Sequence, residues 1–416
     1  MTPTTSTPAT FHGNRVDQQF IAGQWRDGAT GDRASDINPY TDDVVAEFAL
    51  ATAEDLDEAY RAAAAAQEEW AATPPKDRAA VLRRAAEILE ERRDEVIDWL
   101  VKEAGSTRIK ADSEVSLAIA ITQEAASFPT RVHGKIFDSN TPNRETRVYR
   151  KPVGVVGVIS PWNFPLHLSQ RSVAPALALG NAVVLKPASD TAVTGGTLIA
   201  RVFEEAGLPA GLLHVLPGGG DAGAAAVDAP EVRIVSFTGS TEAGRHVGAA
   251  GAQHLKRTHL ELGGNNAMIV LPSADLDLAT RDVVTSAFGH AGQKCSAASL
   301  VILVGSVGSS ERFRRQLLDA ASSIHVAHPD DPRAQMGPVI EEPGEKLRRG
   351  LTELGEGESW ALEPRSLDDT GRLFSPGVRA NVRPGADAHL TEYFGPVLSV
   401  MTAETLEEAI GIVNAV

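Results

Sequence analysis

The sequence contains one cysteine among 416 residues, Cys295, so no disulfide can form within the chain. A secreted scaffold held together by disulfides is therefore excluded. No apolar run approaches the roughly 18 residues that a membrane-spanning helix needs. The first residues, MTPTTSTPAT, have neither a basic segment nor an apolar core, so they predict no signal peptide. Eleven histidines are scattered without metal-ligand spacing, and we expect no metal site.

Basic residues are also few, with 39 Lys and Arg against 55 Asp and Glu and a net charge of −16. This excess of negative charge argues against nucleic acid or an anionic membrane as the main partner. Hydrophobic residues make up 43% of the chain and charged residues 23%, as in ordinary globular proteins. We therefore expect a cytoplasmic protein of two or three domains.

The amino-terminal part of the chain predicts a tail followed by a hairpin and helices. Residues 1–15 are rich in Thr, Ser and Pro, which predicts a disordered tail, and residues 20–28 predict a short hairpin. A helix is expected after Thr52, whose hydroxyl can cap it. A second helix is expected over residues 76–105, where Gly105 ends an amphipathic pattern.

From Val153 onward, apolar strand patterns alternate with helical ones. The run VGVVGVI at residues 153–159 predicts a strand buried on both faces, and similar runs recur at residues 182–186, 212–216 and 233–237. Strands that alternate with helices form βαβ units and a parallel sheet. A second block of this kind begins after Gly263. The expected fold class is therefore α/β, with two such units.

Cys295 lies in the segment HAGQKCSA, directly before a predicted buried strand. A lone cysteine is most often a small buried hydrophobic residue. Here Gly292 and the polar residues Gln293 and Lys294 precede it, which favours an exposed thiol beside a positive charge. Spacing alone leaves both interpretations open.

Several polar residues follow predicted strands and could contribute to a site. Asn163, in the stiff turn SPWNFP, could hold an oxyanion or simply cap the turn. Glu261, before a Gly-Gly turn, is either paired structurally or a base. Lys186 is a solvated cap or a ribose and phosphate ligand. Ser240 or Thr241 can cap a helix whose free N–H groups suit a phosphate, although such a loop taken alone is more often an ordinary strand-to-helix turn. The chain has neither a P-loop nor a Gly-x-Gly-x-x-Gly fingerprint at these turns.

Six motifs, PWNFP, KPAS, FTGST, ELGGN, GQKCSA and EYFGPV, occur in this order and together resemble the aldehyde dehydrogenase superfamily. The resemblance covers nearly the whole chain after the tail. It implies an aldehyde dehydrogenase-like α/β fold, with a Rossmann-like cofactor domain formed by residues 16–131 and 151–262. Residues 132–150 would form the oligomerisation hairpin of a homo-oligomer, and residues 263–416 the catalytic domain.

The resemblance also implies roles for individual residues. Cys295 would attack the aldehyde, the Asn163 amide and the Cys295 N–H would stabilise the oxyanion, and Glu261 would activate the water that hydrolyses the thioester. The substrate would be a small-molecule aldehyde, oxidised to its carboxylic acid. The cofactor, NAD or NADP, would be bound by Ile159, Ser160, Pro161, Trp162, Lys186, Ser189, Gly220, Gly239, Ser240, Leu262, Gly263, Glu392 and Phe394.

Two residues depart from the pattern common in the superfamily. Ser189 stands where many NAD-specific members have Glu. A carboxylate there would bind the ribose hydroxyls and repel a 2′-phosphate, whereas serine does neither, so we expect NADP to be accepted alongside NAD. Asn265 stands where many members have Lys, and the sequence offers no explanation for it.

Two parts of the chain indicate different substrates. Residues 149–196 resemble benzaldehyde and vanillin-type dehydrogenases. From about Pro272 the chain resembles the pyrroline-carboxylate (glutamate semialdehyde) dehydrogenase of proline catabolism, in which Ser296 would help to bind the substrate carboxylate. We favour an aromatic aldehyde, with glutamate semialdehyde as the alternative.

The end of the chain gives a further expectation. The superfamily continues beyond the position of Val416, so we expect a truncated catalytic domain, and an inactive nucleotide-binding remnant is another alternative. An acylating, coenzyme A-dependent enzyme is disfavoured, because such enzymes usually lack the hydrolytic base that Glu261 would supply.

Overall fold

The computed structural model describes residues 8–28 and 32–416 of the chain. They divide into two compact units. The first comprises the described residues up to Ile37 together with residues 44–103 and 112–261, and the second comprises residues 38–43, 104–111 and 262–416. The division after Glu261 lies one residue from the predicted domain boundary, whereas residues 38–43 and 104–111 group with the second unit rather than with the first.

The structure corrects part of the predicted amino-terminal tail. Residues 1–7 of that tail lie outside the described residues, but β1 (Thr10–Phe11) and β2 (Asn14–Arg15) pair as antiparallel strands. The side chain of Phe11 is fully buried. Burial of an aromatic side chain offsets the entropy lost on ordering the chain, and a composition rich in Thr, Ser and Pro does not reveal it.

The first unit begins with strands and helices that precede its main parallel strands. They are β3 (Gln19–Ile21), β4 (Gln24–Arg26), β5 (Arg33–Ile37), β6 (Val44–Ala49), α1 (Ala53–Ala72), α2 (Pro75–Glu91), α3 (Arg93–Ala104), α4 (Arg108–Arg131, from Asp112 in this unit), β7 (Lys135–Asp138) and β8 (Glu145–Val148). The predicted capping of α1 is confirmed, because the Asp55 N–H donates to Thr52 Oγ1 over 3.0 Å and the Thr52 N–H donates to Asp55 over 2.9 Å.

Two helices replace the single one predicted over residues 76–105. Arg92, between α2 and α3, leaves helical geometry with φ −115° and ψ 21°. Its guanidinium forms an ion pair with Glu205 and lies 5.5 Å from the centre of the Phe11 ring. These contacts join residues distant in sequence, so apolar periodicity within the segment could not have indicated the break.

The rest of the first unit alternates strands and helices. Its elements are β9 (Val155–Ile159), α5 (Pro165–Ala178), β10 (Ala182–Lys186), a 3-10 turn (Ser189–Thr191), a turn of π-helix (Val193–Thr197), α6 (Leu198–Glu205), β11 (Leu213–Val215), α7 (Gly220–Asp228), β12 (Val232–Thr238), α8 (Thr241–Gln253) and β13 (Arg257–Glu261).

Seven of these strands form one sheet in the order β13-β12-β9-β10-β11-β3-β4. The five adjacent strands β13, β12, β9, β10 and β11 pair in parallel. Beyond β11, β3 and β4 add two antiparallel strands. Every residue of β9, the central strand of the parallel part, is buried, as its uninterrupted apolar run predicted. The chain runs outward from β9 through β10 to β11 and then returns to the other side of β9 with β12, so the strand order reverses between β9 and β12.

The second unit contains a five-stranded sheet and the helices that cover it. Its elements are β14 (Asn266–Val270), α9 (Leu276–Phe288), β15 (Ala298–Val304), α10 (Glu311–Ser322), α11 (Glu345–Thr352), β16 (Ser359–Leu362), β17 (Gly377–Ala380), α12 (Asp387–Leu390), β18 (Val397–Ala403) and α13 (Leu406–Val413). The sheet order is β14-β15-β18-β17-β16, parallel except for β16. Phe288, Phe313 and Met336 pack in its core.

The α/β fold class predicted from the alternating patterns is confirmed in both units. Within the described parts of the chain, no helix is long and apolar enough to cross a membrane.

Candidate active site

In the parallel sheet of the first unit, the carboxyl ends of four strands lie side by side along one edge that runs across the strands. Lys186 pairs in register with Ile159, the last residue of β9, and Ile159 pairs with Phe237 on its other side. Thr238 pairs in turn with Glu261. The predicted residues at the ends of β9, β10, β12 and β13 therefore lie along a single edge. In open α/β sheets a ligand binds at the carboxyl ends of the strands where the strand order reverses, here between β9 and β12.

The loop after β9 carries Ser160, Pro161, Trp162 and Asn163. The Ser160 N–H donates to the Lys186 carbonyl over 3.2 Å, which ties this loop to the end of the neighbouring strand. The Asn163 side chain is buried, and α5 begins two residues later with proline at its first position. Ser160 Oγ is buried and has no hydrogen-bond partner within the described part of the chain. Buried hydroxyls are normally satisfied, so this oxygen is available to a bound group.

The loop after β12 opens helix α8. The Gly239 N–H donates to the Glu261 carbonyl over 3.1 Å, and Ser240 caps the helix by accepting from the Ala243 N–H over 3.2 Å. A Cβ on Gly239 would lie 2.7 Å from the Phe237 ring, so a larger residue there would require the ring to move. The remaining free N–H groups of the first turn and the helix dipole favour an anion.

A second helix amino terminus lies after β11, where Gly220 begins α7. A Cβ on Gly220 would meet no atom of the chain within 4 Å, and one on Gly223 would lie 3.9 Å from the Ile159 side chain. This helix start therefore faces open space near the end of β9. Two helix amino termini, an unsatisfied hydroxyl and a nearby ammonium group form a donor set that fits the phosphates and riboses of a dinucleotide.

Lys186 supplies the ammonium group. Burial lowers the pKa of its side chain, while the negative charge of Asp190 acts in the opposite direction. Ser189 begins the 3-10 turn that follows β10 and is half-buried. The KPAS motif thus runs from the last residue of β10, Lys186, to the start of the turn at Ser189.

Glu261 ends β13 with its side chain about half exposed, at 44%. Its carboxylate lies 3.7 Å from the Arg171 guanidinium and 3.6 Å from His259 Nε2. Both distances suit ion pairing but exceed hydrogen-bond length. The sequence left a structural pair and a base as alternatives, and the structure shows an accessible carboxylate close to two basic side chains.

In the second unit, Cys295 and Ser296 are exposed, which excludes the interpretation of Cys295 as a buried hydrophobic residue. The turn before them has His290, Ala291 and Gly292 at φ of 56°, 52° and 71°. Left-handed geometry costs a residue that carries a Cβ about 1 kcal/mol or more. The chain therefore reverses sharply before the thiol instead of continuing helix α9.

Gln293 holds this strained turn in place. Its buried side chain donates to the carbonyls of His290 (3.2 Å) and Pro338 (3.3 Å), and it accepts from the Ile340 N–H over 2.9 Å. The Lys294 side chain lies against the backbone of Gly289, where an added Cβ would be 2.7 Å from Nζ, and burial lowers the pKa of its ammonium.

Glu392 and Phe394 also lie in the second unit. The Glu392 carboxylate accepts from the Gly264 N–H over 3.1 Å and covers Gly263 so closely that a Cβ there would overlap it. Burial raises the Glu392 pKa, and the Gly264 N–H opposes this rise. A Cβ on Gly292 would overlap the Gly395 carbonyl. The unit thus brings Gly263, Glu392 and Phe394 to the turn that precedes Cys295. Leu262 is the first residue of the longest segment of this unit.

The structure also explains Asn265. Its buried side chain donates to the His389 carbonyl over 2.6 Å and so ties the Gly-Gly turn to α12, which precedes Glu392. Its neighbour Asn266 donates to the carbonyl of Cys295. The sequence pattern did not single out Asn266 or the role of Gln293. The sequence does show amide side chains at these positions, in or next to the ELGGN and GQKCSA motifs that contain candidate site residues.

Comparison with known proteins identifies the family. The model of the aldehyde dehydrogenase family matches residues 25–416. The chain belongs to the aldehyde dehydrogenase family. It is 46% identical to a vanillin dehydrogenase of Corynebacterium glutamicum, covering 98% of this chain and 84% of that protein. A benzaldehyde dehydrogenase of Bacillus subtilis is 41% identical, with 97% and 83% covered.

Solved structures agree with the sequence comparisons. The crystal structure of an NAD-dependent benzaldehyde dehydrogenase from Corynebacterium glutamicum superposes with a TM-score of 0.92 at 47% identity, covering 98% of this chain and 88% of that one. The aldehyde dehydrogenase fold predicted from the six motifs is confirmed, as is the resemblance to benzaldehyde and vanillin dehydrogenases. The resemblance of the part after Pro272 to pyrroline-carboxylate dehydrogenase stays a prediction.

Proposed function

We propose that this aldehyde dehydrogenase oxidises an aromatic aldehyde of the benzaldehyde or vanillin type to its carboxylic acid, with NAD or NADP as cofactor and Cys295 as nucleophile. The observation that carries the proposal is the exposed thiol on a strained turn, beside the segment of Glu392 and Phe394. Relatives named vanillin and benzaldehyde dehydrogenase match the chain on both sides of Pro272, which favours an aromatic substrate over glutamate semialdehyde.

The chemistry begins at the sulfur of Cys295. The thiolate attacks the carbonyl carbon, and the aldehyde oxygen becomes an oxyanion. The Asn163 amide and the Cys295 N–H donate to it, and each such donor stabilises a transition state by about 3 kcal/mol. Loss of the aldehyde hydrogen as hydride converts the thiohemiacetal into a thioester.

The bound nicotinamide dinucleotide supplies the hydride acceptor. In the first unit, the helix starts at Gly220 and Ser240 would hold its phosphates, and Lys186 and Ser189 would hold the adenosine ribose. In the second unit, Glu392 and Phe394 would hold the nicotinamide ribose and ring. Ser189 offers no negative charge to repel a 2′-phosphate, which supports the use of both NAD and NADP.

Hydrolysis of the thioester completes the reaction. Glu261 takes a proton from water, the water oxygen attacks the thioester carbon, and the C–S bond breaks to release the carboxylic acid and the Cys295 thiolate. The accessible Glu261 carboxylate supports this role. The thiolate chemistry requires a reduced thiol, which supports a cytoplasmic location.

We also propose that the chain forms a homo-oligomer through the β7–β8 hairpin. All eight strand residues are exposed, and the hairpin segment presents Ile136, Phe137, Val148 and Tyr149 with exposures of 70%, 49%, 46% and 67%. A lone two-stranded hairpin is marginally stable in water, and exposed apolar patches mark association sites.

The test is NAD(P)H formation by the purified chain with benzaldehyde, vanillin and glutamate semialdehyde, each with either cofactor. We expect turnover with the aromatic aldehydes, none after Cys295→Ala, and accumulation of a thioester, seen by mass spectrometry, after Glu261→Gln. Preferred turnover of glutamate semialdehyde would overturn the substrate assignment. Cofactor binding without turnover of any aldehyde would instead indicate the nucleotide-binding remnant.

A further inference from the structure

A side chain of the neighbouring strand β14 makes hydrogen bonds to the turn that carries Cys295. The Ala297 N–H donates to the Lys294 carbonyl over 3.0 Å, so Cys295 and Ser296 occupy the centre of a tight turn. The carbonyl groups of Cys295 and Ala297 both accept from Asn266 Nδ2, over 2.7 Å and 3.0 Å. One side-chain amide therefore bridges the two carbonyls on either side of Ser296.

The position of Asn266 explains why a side chain takes this role. Asn266 is the first residue of β14 and pairs in register with Ala298, the first residue of β15. The register of the two parallel strands shifts between Asn266 and Ala267, so regular backbone pairing is interrupted here. The amide of Asn266 supplies donors to the carbonyls that precede the regular ladder.

From these contacts we propose that Asn266 is a positioning residue for the nucleophile. The inference rests on the proposed function, in which the Cys295 N–H stabilises the oxyanion. Holding the Cys295 carbonyl restricts the backbone angles of Cys295, and these angles set the directions of its N–H and its Cβ–Sγ bond. The amide thus aligns the thiol with one of its own oxyanion donors.

The neighbouring asparagine has a separate function. Asn265 is buried and ties the same turn to the His389 carbonyl, on the side of Glu392, whereas Asn266 is exposed and ties it to Cys295. Adjacent side chains in extended backbone point to opposite sides. Loss of Asn266 should therefore affect the thiol and leave cofactor binding intact.

The experiment compares two reactions of Cys295 in the chain without cofactor. Acylation by p-nitrophenyl acetate passes through a tetrahedral oxyanion and depends on the donors, whereas alkylation by iodoacetamide forms no oxyanion. For Asn266→Ala we expect acylation to fall about tenfold or more while alkylation stays within about twofold, because two hydrogen bonds of ordinary strength are lost. NAD affinity should be unchanged. Asn266→Gln, which keeps both donors on a longer side chain, should recover part of the acylation rate.

Asn414→Ala is the matched control, since Asn414 is an exposed asparagine of the same unit whose φ of −76° is one that alanine also adopts. It should leave both rates unchanged. Unchanged acylation in Asn266→Ala, or an equal fall in acylation and alkylation, would refute the positioning role. An unsubstituted chain that is acylated no faster than free cysteine would refute it too, because no oxyanion donor would then be aligned. A chain that is acylated but oxidises no aldehyde would contradict the proposed function alone, and the acylation-to-alkylation ratio would still decide the role of Asn266.

Discussion

A buried pair of carboxyl groups should make the stability of the first unit depend on pH. Asp36 on β5 and Glu103 in the last turn of α3 are both fully buried. Glu103 accepts from the N–H groups of Val193 (2.6 Å) and Thr194 (2.7 Å), at the start of the π-helical turn. Asp36 has no donor within the described part of the chain, so its contact with Glu103 requires a shared proton. Burial and the neighbouring Glu103 raise the pKa of Asp36 well above its usual range.

The sign of the effect follows from proton binding. Because the pKa of Asp36 is higher in the folded chain than in the unfolded chain, the folded state retains a proton that the unfolded state loses above about pH 4. The free energy of unfolding should therefore fall as pH rises, by about 1.4 kcal/mol per unit, until the raised pKa is passed. Asp36→Asn supplies a permanent N–H donor to Glu103. We expect this variant to have a shallower slope, since burial also raises the pKa of the remaining Glu103, and to be more stable than the unsubstituted chain at pH 8.

The assay is urea unfolding followed by tryptophan fluorescence at pH 5, 6, 7 and 8. Asp43→Asn, a substitution of the same kind at an exposed position, is the control and should keep the slope. Glu103→Gln should destabilise by about 1–3 kcal/mol, since Val193 and Thr194 donate to different oxygens of Glu103 and the amide would place an NH2 donor against one of these N–H groups. An unaltered slope in Asp36→Asn, or loss of stability at pH 8, would show that the proton does not reside on this pair.

Two further predictions concern the cofactor and the assembly. Ser189→Glu should weaken NADP binding at least about tenfold, because a carboxylate repels the 2′-phosphate, and should leave NAD binding unchanged. Fluorescence titration measures both affinities, and equal weakening of both cofactors would contradict the proposed position of the ribose. Ile136→Glu combined with Phe137→Glu should lower the mass measured by light scattering without unfolding the chain, since both side chains are exposed. Lys135→Glu, the control, should leave the mass unchanged. An unchanged mass in the double variant would exclude the hairpin as the association site.

The sheet edge could be predicted from the sequence because it depends on local patterns and one general rule. Apolar runs located β9, β10 and β12, and the carboxyl ends of parallel strands meet at one edge. Lys186, Ser240 and Glu261 follow such runs directly, so their shared edge needed no knowledge of side-chain contacts.

Contacts between distant segments could not be predicted in this way. Asp36 and Glu103 are 67 residues apart and lie in elements whose patterns carry no sign of pairing. The break at Arg92 depends on Glu205 and Phe11. Asn266 reaches Cys295 only because β14 and β15 start side by side. In each case the deciding partner comes from tertiary structure, which overrides the local preference.

The turn before Cys295 shows how local and distant contacts together place the thiol. Helix α9 ends at Phe288 with Gly289 as its C-cap, and His290 and Ala291 then adopt left-handed geometry at a cost of about 1–2 kcal/mol each. The three hydrogen bonds of Gln293 and the close packing of Gly292 against Gly395 offset this cost. A continued helix would carry residue 295 onward along the axis of α9. The reversal instead delivers it to a tight turn at the start of β15, where Asn266 holds its carbonyl and the thiol remains exposed. The strained turn thus precedes an exposed thiol of a residue type that is usually buried.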